Sequence, residues 1–356
     1  MEREVEVVVV GAGQAGLSAA YHLRRHFEPE TEFAVLDHAP GPGGAWQFRW
    51  PTLTFATVNG VYRLPDMPVP EPDADTPVAD VLPEYFAAYE RAFDLRVRRP
   101  VSVESVRSLP DGRLEVATDR GTWTAKALIN ATGTWERPFW PRYPGQETFA
   151  GRQLHTARYR GPWEFAGLRT VVVGGGISAV QHLMEIHPLA ARTHWVTRRP
   201  PQWREDEFNA DRGREAVALV EERVRRGLRP QSVISVTGVP LTPQVAAARE
   251  AGVLDRRPMF ERIEPGGVRW GDGRFAAADV ILWATGFRAA LDHLAPLRLR
   301  GPLGGIAMDG TRVAADPRIH LVGYGPSAST VGANRAGRAA VREIRELLAA
   351  PAVTRS

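Results

Sequence analysis

One local pattern occurs twice in the 356-residue chain: a β-branched run leads into a glycine-rich turn, which leads into an amphipathic helix. The first copy reads VEVVVVGAGQAGLSAAYHL from Val5, and the second reads TVVVGGGISAVQHLMEI from Thr170. Strands that alternate with helices predict a parallel sheet covered by helices on both faces. The duplication therefore predicts an α/β chain built from two such units rather than from a short-period repeat.

The first glycine turn predicts a dinucleotide site. Gly11, Gly13 and Gly16 form the pattern G-x-G-x-x-G between a strand and a helix. In this pattern the first glycine allows a tight turn, the second lets the backbone approach a diphosphate, and the third lets the helix pack on the strand. Asp37 ends the next predicted strand about 20 residues further on, where a carboxylate accepts hydrogen bonds from a ribose. We assign this site to FAD.

The second turn predicts a different dinucleotide site. It contains Gly174, Gly176 and Ala179, and alanine is still small enough for close helix packing. Its next strand ends in Arg198 and Arg199 rather than in an acid, and a guanidinium suits the 2′-phosphate of NADPH. Alternatively, both arginines are solvated side chains of an arginine-rich chain. The first residues of the two helices are expected to add backbone amides to the sites: Gln14, Ala15, Ile177 and Ser178.

These two sites predict two Rossmann-like domains, each doubly wound with three layers, and electron transfer between a nicotinamide and a flavin. Composition excludes other classes. The chain has no cysteine, which excludes disulfides, thiolate metal sites and a redox-active dithiol. Its net charge of +4 is spread among interleaved acids and arginines, so we expect no nucleic-acid partner. No apolar stretch approaches the roughly 20 residues of a membrane span. We expect a cytoplasmic monomer or homodimer without a metal site.

The segment FAGRQLHTARYR, residues 149–160, has neither a strand nor a helix period. Its Phe149, Gly151, His155 and Tyr159 match the pattern F-x-G-x-x-x-H-x-x-x-(Y/F) at all four positions. Through this segment the chain resembles the class B flavoprotein monooxygenases, the flavin-containing monooxygenase family. Matches to that family's flavin-side GGxW motif, its asparagine motif and its two A-T-G turns add Gly44, Trp46, Asn59, Thr132, Gly133, Thr285 and Gly286.

The resemblance implies that the NADPH-binding domain is inserted into the FAD-binding domain. The implied boundaries are residues 1–147 for the first part of the FAD domain, 148–286 for the NADPH domain with its linker, and 287–356 for the second part of the FAD domain. The closing segment GYGPSASTVGANRAG is expected to bring a helix N-terminus, with Asn334, towards the flavin.

The resemblance also implies a reaction. NADPH reduces FAD, O₂ adds at flavin C4a, and the resulting (hydro)peroxide oxygenates a small nitrogen- or sulfur-containing nucleophile or a carbonyl substrate. Asn59 is expected beside flavin N5. His155 is expected to hold the linker near NADP⁺ or to move a proton. The Baeyer–Villiger branch typically has tryptophan in place of Tyr159, so this tyrosine favours heteroatom oxygenation.

Other functions stay open at this point. They are a flavoprotein reductase or oxidase that releases H₂O₂, a Baeyer–Villiger monooxygenase, and a non-enzymatic flavin-binding sensor. Residues 49–70 and 200–211 are expected to shape the substrate pocket. Trp46 and Trp50 are expected either to wall the flavin or to pack in the core.

Overall fold

Two sheets organise the chain, and each contains one of the two β-branched runs. The sheet with the first run mixes parallel and antiparallel strands, and the other sheet is entirely parallel. The computed structural model describes residues 2–205, 210–230 and 237–350. In chain order, its strands are β1 (Glu2–Val10), β2 (Phe33–Leu36), β3 (Val103–Ser108), β4 (Leu114–Thr118), β5 (Gly121–Asn130), β6 (Arg152–His155), β7 (Arg169–Val173), β8 (Arg192–Thr197), β9 (Trp203–Arg204), β10 (Val239–Pro240), β11 (Arg256–Pro258), β12 (Arg262–Glu264), β13 (Gly267–Arg269), β14 (Phe275–Ala277), β15 (Val280–Trp283), β16 (Met308–Asp309), β17 (Arg312–Val313) and β18 (Asp316–Leu321). Its α-helices are α1 (Gln14–Arg24), α2 (Val78–Ala92), α3 (Ile177–Ile186), α4 (Ala210–Arg225), α5 (Pro243–Glu250) and α6 (Thr330–Ala349).

The first sheet takes strands from both ends of the chain. Its order is β16-β17-β18-β5-β1-β2, and the antiparallel pair β3–β4 joins it alongside β5. Strand β1 is parallel to both of its neighbours, with Val8 opposite Ala34 and Leu128. Val7 and Val9 pack in the same cluster as residues of helices α1 and α6, whereas Val8 packs with strands β3 and β4. Residues 7–10 are continuously apolar because both faces of this part of the strand are covered.

The second sheet lies between two parts of the first in the sequence. Its order is β11-β8-β7-β15-β6, and every pairing in it is parallel. Its strands all fall within residues 152–283, whereas the strands of the first sheet lie before residue 131 and after residue 307. The fold is thus α/β with two parallel-sheet units, and the second unit interrupts the first along the chain.

The segment 149–160, which has neither a strand nor a helix period in the sequence, contains the strand β6. Strand β6 pairs in parallel with β15, with Leu154 opposite Leu282 and His155 opposite Trp283. Its partner lies far along the chain, and such a pairing leaves no local sequence signal. Residues 95–97 form no strand, because Asp94 and Arg96 adopt left-handed φ angles of 49° and 47°.

The last helix packs on the first. A Cβ atom at Gly337 would lie 2.8 Å from the backbone nitrogen of Ala19, so this glycine allows α6 to approach α1. Ser329 caps α6, its Oγ accepting a hydrogen bond from the Gly332 amide at 3.1 Å. None of the helices in the described ranges has the length and apolar character to cross a bilayer.

Candidate functional site

A cavity of about 630 Å³ borders the glycine turn after β1. It lies at the carboxyl ends of parallel strands β1, β2, β5 and β18, the edge at which such sheets bind ligands. The predicted cofactor residues that line it are Gly11, Gly13, Gln14, Ala15, Asp37, Gly44, Trp46, Thr132 and Gly133.

The three glycines of the first turn occupy different environments. Gly11 has a φ of 96°, in the left-handed region that favours glycine. Gly13 is the N-cap of α1, and a Cβ atom there would meet only the Gly44 Cα, at 3.9 Å. A Cβ atom at Gly16 would lie 1.8 Å from the Gly11 carbonyl oxygen. Gly13 therefore leaves open space in front of the helix N-terminus, and Gly16 serves close packing.

Asp37 is a buried residue held by Arg99, whose side chain is 10% exposed. Arg99 Nε donates to Asp37 Oδ2 at 2.6 Å, and the two terminal nitrogens of Arg99 donate to Glu90 at 2.7 Å each. Burial lowers the pKa of Arg99, but the hydrogen bonds and charge of Glu90 and Asp37 outweigh it and leave that pKa raised. The Asp37 carboxylate is thereby fixed at the cavity wall.

Several charged and aromatic cavity residues were missed by sequence reasoning. They are His38, Glu104, Trp135, Arg137, Phe287, Asp292 and His293; Arg49, the first residue of the expected pocket segment 49–70, also lines the cavity. Some directly follow the parallel strands, where polar side chains can be anticipated from the topology alone. Phe287, Asp292 and His293 reach the cavity through the return of the chain after β15, whereas Glu104 lies on β3.

The second glycine turn connects β7 to α3. Gly174 has a φ of 147°, and a Cβ atom there would lie 2.1 Å from the Ala284 carbonyl oxygen. Gly176 is the N-cap of α3, and a Cβ atom there would have open space around it to a distance of 4 Å. Ile177 and Ser178 begin α3, and Ala179 is fully buried.

Arg198 and Arg199 are both exposed directly beyond β8. The strand end beneath them is held by Arg256, whose Nε donates to Thr197 Oγ1 at 2.6 Å. Two guanidinium groups are thus presented on the same side of the second sheet as the glycine turn, at the carboxyl ends of its strands.

His155 is fully buried where the two units join. The Ala157 amide donates to its Nδ1 at 3.1 Å, so the ring proton lies on Nε2, which donates to the Gly286 carbonyl at 3.0 Å. Burial lowers the pKa of His155 to about 4. The ring is therefore neutral at physiological pH and holds two backbone segments together. Its edge contacts Phe287, with ring centroids 5.0 Å apart.

The chain passes between the two sheets twice, at residues 132–139 and at residues 285–290. The two A-T-G turns hold these two segments together. Thr132 Oγ1 donates to the Ala290 carbonyl at 2.6 Å, and Thr285 Oγ1 donates to the Phe139 carbonyl. The Phe139 amide in turn donates to the Gly286 carbonyl at 2.9 Å. Thr132 lines the first cavity, whereas Thr285 and Gly286 lie outside its lining.

Tyr159 belongs to a buried polar cluster at the α3 face. Its hydroxyl and that of Thr52 both donate to Glu185 Oε2, each at 2.7 Å. Burial raises the pKa of Glu185, although both hydrogen bonds oppose that shift. His182 packs between Trp50 and Tyr159, with ring centroids 4.8 and 4.1 Å away. Trp50 thus packs in this cluster and lies outside the lining of the cavity.

His182 is an unusual member of this cluster. It is fully buried, and neither ring nitrogen has a hydrogen-bond partner within the described residues. Burial lowers its pKa to about 3. The ring thus packs as a neutral aromatic group.

The two predicted asparagines lie apart from the cavity lining. Asn59 is exposed in the loop before Gly60. Asn334 lies in the second turn of α6, where its Oδ1 accepts from Gln14 Nε2 at 3.0 Å and its Nδ2 donates to the Arg63 carbonyl at 2.7 Å. Of the expected pocket segment 200–211, residues 206–209 lie outside the described ranges, and residues 203–204 form β9. Within the described ranges no group of three acidic or histidine side chains is arranged to hold a metal ion.

The chain is similar to known proteins in both sequence and fold. The profile of the pyridine nucleotide-disulphide oxidoreductase family matches residues 8–239. The solved flavin-containing monooxygenase from Stenotrophomonas maltophilia is 37% identical, with a TM-score of 0.82, and the match covers 98% of this chain and 100% of that one. A Baeyer-Villiger monooxygenase from Streptomyces coelicolor is 32% identical over 347 residues, which cover 91% of this chain and 65% of that protein.

A more distant likeness concerns the fold alone. The structure of OTEMO in complex with FAD and NADP is 17% identical, with a TM-score of 0.66, and the match covers 97% of this chain and 84% of that one. The chain spans about half to two thirds of the length of the curated relatives that it matches first. The chain belongs to the pyridine nucleotide-disulphide oxidoreductase family and, within it, to the class B flavoprotein monooxygenases.

Proposed function

We propose that this protein is an FAD- and NADPH-dependent monooxygenase that transfers one oxygen atom of O₂ to a small nitrogen- or sulfur-containing nucleophile or to a carbonyl compound. The observation that carries this proposal is the similarity to the S. maltophilia flavin-containing monooxygenase over the whole of that chain. The absence of cysteine from the sequence supports it further, because the dithiol chemistry for which the wider family is named requires cysteine.

The first cavity suits FAD. It offers the N-terminus of α1 to a diphosphate, open space at Gly13, and the Asp37 carboxylate for a ribose. OTEMO, which shares the fold, is a complex with FAD and NADP. Bound FAD supplies the transfer of electrons from NADPH to O₂. The residues around it orient the cofactor and close the cavity wall with Trp46, Trp135 and Phe287.

The second turn suits NADPH. Gly176 leaves open space before the N-terminus of α3, and Arg198 and Arg199 present guanidinium groups beyond the next strand. His155 holds the linker to the segment at Gly286 that leads back to the first sheet. Its ring is uncharged at physiological pH, because burial lowers its pKa to about 4. We propose residues 1–147, 148–286 and 287–356 as the domain boundaries, and a cytoplasmic monomer or homodimer as the working form.

The substrate branch rests on Tyr159 and on the relatives. Tyr159 favours heteroatom oxygenation, whereas the S. coelicolor relative is a Baeyer-Villiger monooxygenase. The decisive experiment supplies the purified protein with FAD, NADPH and ¹⁸O₂, together with a thioether, a tertiary amine or a cyclic ketone. We expect one ¹⁸O atom in the sulfoxide, the N-oxide or the lactone. Consumption of NADPH with stoichiometric H₂O₂ and unlabelled substrates would instead show a reductase or oxidase.

A further inference from the structure

One cation that lines the first cavity has no carboxylate partner among the described residues. Arg49 directly follows the 3₁₀ helix Gly44–Phe48 and lines the cavity with Trp46 and Trp135. Its Cζ lies 4.5 Å from the ring centroid of Trp135 and 5.5 Å from that of Trp46. Its Nε is buried and has no hydrogen-bond acceptor within the described ranges. Aromatic rings therefore cover the guanidinium without neutralising it.

Three other ionised side chains that line the same cavity are already paired. Arg137 forms an ion pair with Asp292, and Asp37 forms one with Arg99. These pairs balance their own charges at the cavity wall. Arg49 consequently adds a positive charge that no ion pair balances.

An unpaired charge in this position calls for an anion. The attraction between a guanidinium and an indole is weaker than the penalty for burying an unpaired ion. Burial lowers the pKa of Arg49 only to about 10, so the side chain remains charged at neutral pH. A bound anion would satisfy the hydrogen-bond donors that the aromatic rings leave free.

The backbone links Arg49 to the glycine turn. A Cβ atom at Gly44 would lie 2.7 Å from the Cα of Gly13, so the 3₁₀ helix that leads to Arg49 starts in contact with the turn. Gly13 is the N-cap of α1, whose N-terminus carries a partial positive charge. We propose that Arg49 binds the diphosphate of the dinucleotide in this cavity, adding a full positive charge to the partial charge of the helix. This inference rests on the proposed function, which assigns FAD to the cavity.

The test compares a flavin that has a diphosphate with one that lacks it. Flavin-free wild type, Arg49→Met and Arg49→Lys are titrated with FAD and with riboflavin, followed by flavin fluorescence at low and high KCl. The matched control is Arg91→Met, which removes an exposed arginine on α2 that pairs with Glu84. Circular dichroism of each flavin-free variant checks that it is folded.

We expect Arg49→Met to raise the Kd for FAD about 10- to 100-fold. We also expect its FAD affinity to depend less on KCl than that of the wild type. The Kd for riboflavin should be unchanged, Arg49→Lys should recover part of the FAD affinity, and Arg91→Met should match the wild type.

Three results would overturn the inference: FAD binding by Arg49→Met equal to wild type, an equal loss for riboflavin and FAD, or no recovery by Arg49→Lys. Should Arg49→Met fail to fold, Arg49→Lys and the salt dependence of the wild type still decide the question. Failure of the proposed function is distinct, because a protein that binds FAD but transfers no ¹⁸O leaves the role of Arg49 intact. A wild type that binds no FAD would remove both.

Discussion

The Nε2 atom of His155 donates a partly buried hydrogen bond to the carbonyl oxygen of Gly286, 131 residues away in the sequence. The two residues meet because β6 and β15 are parallel neighbours, with His155 directly opposite Trp283. Both strands end at this point. After β6 the chain continues to β7 of the same sheet, whereas after β15 it returns to the first sheet. His155 thus joins the end of β6 to the segment that leads back to the first sheet.

Replacing His155 by alanine should destabilise the protein. The substitution leaves the Gly286 carbonyl and the Ala157 amide without their buried partner, and it opens a void. We expect the free energy of unfolding to fall by about 2–4 kcal/mol in urea titrations at neutral pH. His187→Ala, at an exposed position, is the control and should change it by less than about 0.5 kcal/mol. Equal effects of the two substitutions would contradict the joining role.

Replacing His182 by phenylalanine should stabilise the protein, and more so in acid. Phenylalanine removes two buried ring nitrogens that have no hydrogen-bond partner in the described residues, for a gain of about 1 kcal/mol at neutral pH. The unfolded histidine takes up a proton below its ordinary pKa of about 6.5, whereas the folded one resists protonation down to about 3. Wild type therefore loses stability as the pH falls through this window, and the variant lacks that contribution.

The prediction is tested by measuring the free energy of unfolding of both proteins as a function of pH. Between about pH 7.5 and pH 5 the stability gap between His182→Phe and wild type should widen by about 2 kcal/mol in urea titrations. His187→Gln serves as the control for an exposed histidine. A gap of constant size would show that His182 is protonated, or bonded to water, in the folded state.

Gly174 and Gly176 of the second turn should respond differently to substitution. Gly174→Ala forces a Cβ atom to within 2.1 Å of a carbonyl oxygen at a φ of 147°, so we expect a loss of about 2 kcal/mol or more of unfolding free energy. Gly176→Val projects into open space, so thermal unfolding should be nearly unchanged while the KM for NADPH rises. An unstable Gly176→Val would contradict the open space at this position, and a stable one with an unaltered KM would place the nucleotide elsewhere.

Arg198→Ala should discriminate between the two nicotinamide cofactors. Loss of a charge-assisted hydrogen bond to the 2′-phosphate should raise the KM for NADPH about 10- to 100-fold and leave the KM for NADH almost unchanged. Arg192→Ala is the matched control, because Arg192 is exposed at the opposite end of the same strand β8. Steady-state rates with each cofactor provide the measurement. Similar losses with NADPH and NADH would refute binding of the 2′-phosphate.

Local patterns predicted the parts of the fold that depend on local chemistry. The β-branched runs and the glycine turns indicated β1, α1, β7 and α3, because strand burial and turn geometry impose their own residue types. Nine of the predicted cofactor residues line one cavity. Asp37 is among them, as expected for a carboxylate at the end of the second strand.

The remaining features depend on contacts between distant segments. Strand β6 was missed because its partner β15 follows more than a hundred residues later. Arg49 and Trp135 come into contact only when the loop after β2 folds over the loop after β5. The spacing of residues along the chain does not predict that contact. The resemblance associated Thr285 with a cofactor, but its hydroxyl is used by the Phe139 carbonyl. The residue type at a position does not by itself reveal which group its hydroxyl will hydrogen-bond.

The threonine and backbone hydrogen bonds between the two segments that connect the sheets have a mechanical consequence. Residues 132–139 lead out of the first sheet, and residues 285–290 lead back into it. Hydrogen bonds from Thr132 to Ala290 and from Phe139 to Gly286 hold these two segments side by side. A rotation of one nucleotide-binding unit relative to the other therefore has to twist the segments 132–139 and 285–290 together. Any such motion acts through a double-stranded hinge, which resists torsion more than a single tether would and restricts the paths along which the two cofactors can approach each other.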